Sequence, residues 1–188
     1  PAVSTASIVA VFGASGPREG MRAYVEAREL GALLAQAGYI VATGGYRGVM
    51  EAASRGASEA GGHVIGVTCE RIEALVPGLR ANRWVAEEIR FRDLRARLNH
   101  LVTETQAAIA MPGGIGTLSE IALSWSLLQT GEIPAQPLIL VGKSWQQTVS
   151  VFLEQAGGYV RDRDRGLLRT VETAAEAAAL LREWLRTR

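Results

Sequence analysis

Short apolar runs alternate along the chain with longer stretches whose apolar residues recur every three or four positions. Residues 7–12 (SIVAVF) predict a strand, and 13–16 a turn. Residues 18–37 carry Met21, Tyr24, Val25, Leu30, Leu33 and Leu34 at helical spacing, closed by Gly38. Strands at 39–43 and 63–68 flank a helix at 49–60 that Gly61-Gly62 ends. Residues 71–86, with Pro77 and Gly78, read as irregular, and 91–104 as helical. A buried strand at 107–111 leads through a turn at 112–116 into a helix at 117–129, closed by Gly131. A strand at 138–141, a helix at 145–156, a charged loop at 157–166 and a short strand at 167–171 follow. Thr173 is placed to cap a last helix ending at Arg186.

Strand, turn and helix repeated in this order predict an α/β fold. It is a single Rossmann-like, doubly wound parallel sheet over residues 1–188, with helices on both faces. No internal repeat, low-complexity tract or linker divides it. Right-handed crossovers put every strand-to-helix loop at the carboxyl edge of the sheet. Ligands of such sheets bind there, at a topological switch point. The glycine-rich turns at 13–16, 44–48 and 112–116 all fall on that edge.

Composition narrows the function classes. The 188 residues are 48% hydrophobic with a formal net charge of +1, so no broad basic field invites nucleic acid or an anionic membrane. No apolar run approaches the ~20 residues of a membrane span, and no basic segment followed by an apolar core opens the chain. With Cys69 as its one cysteine, the expectation is a cytoplasmic protein. His63, His100 and Cys69 make no ligand cluster, so no metal is expected. Glycine is enriched, at 21 residues, which suits tight turns and close ligand approach.

The stretch Pro112-Gly113-Gly114-Ile115-Gly116-Thr117-Leu118-Ser119-Glu120 carries the clearest chemistry. Its glycines let the backbone turn N–H groups outward, and the helix behind adds unpaired donors and a positive dipole end. Thr117 adds a hydroxyl, completing a phosphate cradle of Gly113, Gly114, Gly116 and Thr117. Glu120, one helical turn on, reads either as a capping partner or as a carboxylate aimed at the same pocket. Arg92, Arg95 and Arg97 lie in a charged run, and spacing does not choose which faces inward. Gly142-Lys143-Ser144 lacks the earlier glycine of a P-loop, and no G-x-G-x-x-G follows the first strand. Ser15 has no histidine-linked triad in view. Cys69 reads as a packing residue, and the four tryptophans as core or dimer contacts.

These motifs resemble the Lonely Guy family, nucleoside 5′-monophosphate phosphoribohydrolases long labelled lysine decarboxylases. The family's Pro-Gly-Gly-x-Gly-Thr-x-x-Glu motif is met in full at 112–120. Its Gly-Gly-x-x-Gly-Leu-Met stretch is met from Gly44-Gly45 to Met50 with Val49 as the one change, and its first turn loosely by Phe12-Gly13-Ala14-Ser15-Gly16. The resemblance implies an N-glycosidase with Arg97 and Glu120 as the catalytic pair, Arg97 holding Glu120 ionised. It implies substrate contacts from Gly13, Ser15, Gly44 and Gly45, a nucleoside monophosphate such as AMP or a cytokinin riboside monophosphate as substrate, no cofactor, and a homodimer. Apolar Leu123, Trp125, Leu127 and Leu128 suggest that the helix after the motif contributes to it. The chain departs from the family at Arg95, Leu98, Ile115 and Ser119, positions expected on the base pocket and its rim. A pyridoxal-phosphate decarboxylase needs a Schiff-base lysine, and Lys143, the one lysine, follows a different strand from the phosphate turn. The competing reading is a non-catalytic sensor or carrier of a nucleotide or molybdopterin-like ligand.

Overall fold

A computed structural model of the protein describes residues 7–186. In chain order the elements are β1 (Ile8–Phe12), α1 (Arg22–Gln36), β2 (Ile40–Thr43), α2 (Val49–Glu59), β3 (Val64–Cys69), α3 (Glu70–Leu75), β4 (Glu87–Phe91) and α4 (Leu94–Thr103). There follow β5 (Ala107–Ala110), α5 (Ile115–Thr130), β6 (Leu138–Val141), α6 (Lys143–Ala156), α7 (Asp162–Arg165), β7 (Leu168–Val171) and α8 (Ala174–Arg186). The strands form one all-parallel sheet in the order β4-β3-β2-β1-β5-β6-β7. The chain winds outward from β1 to β4, returns to β5 on the other side of β1, and winds outward again. The switch point therefore lies between β1 and β5, where the loops carrying 13–16 and 112–116 leave the sheet.

Period-two alternation along the central strands feeds two cores. Val9, Val11, Val41, Ile109 and Val141 face a layer of α1, α2 and α8, where Leu30, Ala53 and Leu181 are fully buried. Ala10, Phe12, Ala108, Ala110 and Leu140 face the opposite layer, which includes Leu101 of α4, Ile121 of α5 and Trp145 of α6. α1 and α2 meet backbone to backbone. A side chain at Gly31 would strike the Ala53 carbonyl, and one at Gly56 the Arg28 carbonyl.

The structure corrects the sequence reading in three places. α3 (Glu70–Leu75) lies almost wholly in 71–86, read as irregular, and β4 (Glu87–Phe91) in a stretch for which the sequence predicts no element except at Phe91, read as the start of a helix. β4 (EEIRF) is one of the sheet's two edge strands, and only its Ile89 and Phe91 pack inward, so no apolar run marks it. α1 begins at Arg22 rather than 18, because Gly20 takes a left-handed conformation and Met21 the N-cap. The loop at 157–166 contains α7, whose buried Asp164 takes bonds from Arg161 Nε at 2.6 Å and Gln129 Nε2 at 3.0 Å. Thr173 does cap α8: its Oγ1 accepts from Glu176 N–H at 3.2 Å. Among the described residues no helix is long and apolar enough to cross a membrane.

Candidate functional site

Three loops at the carboxyl edge are tied together through Ala14. Its N–H donates to the Pro112 carbonyl at 3.2 Å, and its carbonyl accepts from Val49 N–H at 2.9 Å. The joint needs glycine on both sides. A side chain at Gly13 would strike Val49, and one at Gly48, whose φ is +71°, would strike Ala14 and Ser15. Backbone bonds between neighbouring loops thus fix the position of the β5–α5 turn relative to β1 and β2.

Above this joint opens a cleft of about 650 Å³. Its polar wall includes Ser15, Gly114, Gly116, Thr117 and Glu120, with Arg97 from α4 opposite. Met50, Ile72, Val76 and Leu79 supply an aliphatic wall. No side chain caps α5: its N-cap is Gly114, so the first N–H groups of the helix stay available to an anion. Thr117 is buried there, and Gly113 behind it has no room for a side chain against Thr117.

Glu120 is 8% exposed, and its carboxylate makes no hydrogen bond and no ion pair within 4 Å among the described residues. Burial pushes its carboxyl up to about 7, and the charge of Arg97 offsets only part of that. Arg97 is 6% exposed and is held by main-chain carbonyls: Nε donates to Val67 at 2.7 Å and Nη2 to Gly44 at 3.1 Å. Its guanidinium carbon lies 5.7 Å from the centre of the Tyr46 ring. Among the described residues no ion pair within 4 Å joins the two groups; Arg97 acts on Glu120 as a neighbouring charge that favours the ionised form, and burial opposes it.

Of the other site residues expected from the sequence, Gly13, Ser15, Gly114, Gly116 and Thr117 line the cleft, whereas Gly44, Gly45 and Gly113 do not. Gly44 accepts from Arg97 through its carbonyl. Gly45, with φ at +79°, accepts from Asn82 N–H at 2.8 Å and Nδ2 at 3.0 Å. They support the site from behind. Of the four departures from the family pattern, only Ile115 reaches the cleft, at 80% exposure. Arg95 is turned to solvent on the outer face of α4 and Leu98 into the core. Ser119 Oγ donates to the Ile115 carbonyl at 2.8 Å. Sequence reasoning missed Arg18, Tyr46, Arg47 and the aliphatic wall. Tyr46 and Arg47 occupy the variable positions of a glycine motif, and Ile72, Val76 and Leu79 lie in the segment read as irregular. Lys143, the first residue of α6, is exposed and stands outside the cleft lining, so no lysine is placed there for a Schiff base.

Residues 50–181 match the family described as possible lysine decarboxylase. The chain belongs to this family, the Lonely Guy family. Among curated relatives of the Lonely Guy kind, a probable cytokinin riboside 5′-monophosphate phosphoribohydrolase of Oryza sativa subsp. japonica is 29% identical over 182 residues. That match covers 94% of this chain and 72% of the relative. Among solved structures, the molybdenum cofactor carrier protein of Chlamydomonas reinhardtii superimposes with a TM-score of 0.73 at 28% identity, covering 96% of this chain and 99% of that one. The molybdenum cofactor binding protein of the phototrophic bacterium Rippkaea orientalis gives 0.74 at 24% identity, covering 97% and 99%, a likeness of fold. The Lonely Guy fold therefore occurs both in proteins named as phosphoribohydrolases and in proteins named as cofactor carriers.

Proposed function

We propose that this Lonely Guy protein hydrolyses the N-glycosidic bond of a nucleoside 5′-monophosphate, AMP or a cytokinin riboside monophosphate, to a free base and ribose 5-phosphate. The observation that carries this reading is Glu120: a buried carboxyl, without a hydrogen bond among the described residues, one helical turn behind an uncapped helix N-terminus. A passive phosphate binder gains nothing from a carboxylate at that place, whereas a developing sugar cation does.

The 5′-phosphate sits on the N–H groups and Thr117 hydroxyl of the 113–117 turn. The aliphatic wall of Met50, Ile72 and Val76 receives the base. As the bond from C1′ to the base nitrogen breaks, positive charge grows on the ribose ring and Glu120 stabilises it, as in other glycosidic cleavages. Water adds to C1′, its proton passes to solvent or carboxylate, and the base leaves after taking up a proton. Arg97 contacts the phosphate or the base and adds positive potential to the cleft. The protein acts as a homodimer in the cytoplasm without a metal or redox cofactor.

Chromatography of AMP and cytokinin riboside monophosphate incubations tests the reading. Release of free base supports it. AMP binding without base release from any monophosphate hands the cleft to the second reading, a carrier of a nucleotide or molybdopterin-like ligand. That second reading is favoured by the end-to-end likeness to the Chlamydomonas carrier protein.

A further inference from the structure

Tyr46 belongs neither to the phosphate turn nor to the Arg97–Glu120 pair, yet it is buried, lines the cleft and meets two charged side chains, Glu73 and Arg97. Its hydroxyl accepts from Cys69 N–H at 2.7 Å and donates toward the Cys69 carbonyl at 3.1 Å and Glu73 Oε1 at 3.3 Å. Glu73, itself buried on α3, is held from its other oxygen by Arg90 Nη2 at 2.6 Å. Burial pushes the phenol up, so the ring stays neutral at physiological pH. The ring faces the guanidinium of Arg97 at a distance where an aromatic face attracts a cation.

Arg97 therefore has two carbonyls and an aromatic face on its side of the cleft, and Glu120 on the other. A guanidinium with 6% exposure and no carboxylate within 4 Å among the described residues would gain from pairing with the nearest one. What opposes that collapse is the bonding to Val67 and Gly44 and the ring of Tyr46. We propose that Tyr46 is a positioning residue that holds Arg97 away from Glu120, so that the cleft presents a separate cation and carboxyl to the ligand instead of a neutralised ion pair. The hydroxyl network to Cys69 and Glu73 orients the ring for that task. It also ties α3, which brings Ile72 to the aliphatic wall with Val76 just beyond its end, to the residue that sets Arg97. The other charged or titratable side chains in the cleft are Arg18 of the β1–α1 loop and Arg47 of the β2–α2 loop; α3 contributes only apolar ones there.

The inference rests on the proposed nucleotide site for its binding arm alone. A structural residue would lower stability without moving the titration of Glu120; a positioning residue moves it in a stated direction. The probe is the side-chain carboxyl of Glu120, followed by carbon NMR in glutamate-labelled protein from pH 4 to 9 and assigned with Glu120→Gln. In Tyr46→Leu, and in Tyr46→Met as a variant of closer volume, Arg97 is released to pair with Glu120. The titration midpoint then falls by about one pH unit or more, the size of effect an adjacent opposite charge produces. Tyr46→Phe retains the ring and stays within half of that shift. Calorimetry with AMP gives weaker binding in Tyr46→Leu, by roughly tenfold, because the cation is spent on the carboxylate. A midpoint that stays put or rises in folded Tyr46→Leu and Tyr46→Met overturns the proposal, as does a shift in Tyr46→Phe equal to that in Tyr46→Leu. If wild type releases no base from any monophosphate while the midpoint falls as stated, the enzymatic reading fails and the positioning role stands.

Discussion

Among the described residues the carboxyl of Glu120 has no hydrogen bond, and its titration bears on stability and on the proposed chemistry alike. Its ordinary value is 4.5 and the folded value about 7, so the fold favours the protonated form. Below 4.5 the group is protonated whether folded or unfolded. Between 4.5 and about 7 the unfolded chain has ionised the group while the folded protein still holds the proton, so the stability it contributes is lost progressively over that window and is gone once pH passes the folded value. Glu120→Gln removes this penalty and should melt higher than wild type at pH 8, by an amount worth about 3 kcal/mol, with little difference at pH 4.5. Calorimetric melting at the two pH values checks the sign. Turnover responds oppositely. In the proposed hydrolysis ionised Glu120 is the form that stabilises the sugar cation, so base release from AMP should rise as pH passes through about 7. Glu120→Gln should lower it by roughly 100-fold while AMP binding is kept or tightened. Arg97→Ala should lower both binding and turnover. The double variant should lose less than the sum, since the two groups act on one ligand.

At the scale of elements, the first turn of α5 works only because Gly113 leaves space for Thr117. Gly113→Ala should displace that side chain and weaken AMP binding by about tenfold, a loss worth ~1.4 kcal/mol. Far-ultraviolet circular dichroism should stay unchanged, because α5 buries Ile121, Leu127 and Leu128 well away from the substitution. The central strands and long helices were legible from the sequence because each states its burial in its own residues: β1, β5 and β6 are unbroken apolar runs. The glycine motifs were legible for a related reason, since a left-handed residue such as Gly48 leaves few alternatives. β4 and α3 were not, because what fixes them is not local. Edge position frees β4 from apolar patterning, and α3 is a six-residue helix anchored through Glu73 to Tyr46 and to Arg90 of β4. The aliphatic wall was hidden with them. Arg97 could be chosen from three arginines by resemblance to the family. That its partners are carbonyls rather than Glu120 could be learned only from the fold.

At the scale of the whole molecule, the apolar helix positions proposed as a dimer surface turn out to be largely used within the protomer. Leu127 and Leu128 are buried, and Leu123 and Trp125 pack on the second core, Trp125 Nε1 donating to the Asp164 carbonyl at 2.7 Å. The exposed apolar side chains near the start of α5 are Ile115 and Leu118, with Leu94 on neighbouring α4. A two-fold dimer built there would cover residues beside the cleft mouth. Sedimentation equilibrium at micromolar concentration should give a dimer, and Leu118→Asp should shift it to monomer without lowering the melting temperature of the isolated chain by more than a few degrees. The tie through Ala14 has a different reach. Because one residue is bonded to the loops on both sides of it, lengthening or shortening any of the three loops would disturb all of them. The proposed phosphate cradle is thus one mechanical unit with the two neighbouring loops. Tyr46, Arg47 and Ile115 hang from that knot without being strands of it, so a new ligand can be reached by exchanging side chains at the rim while the knot is carried over intact.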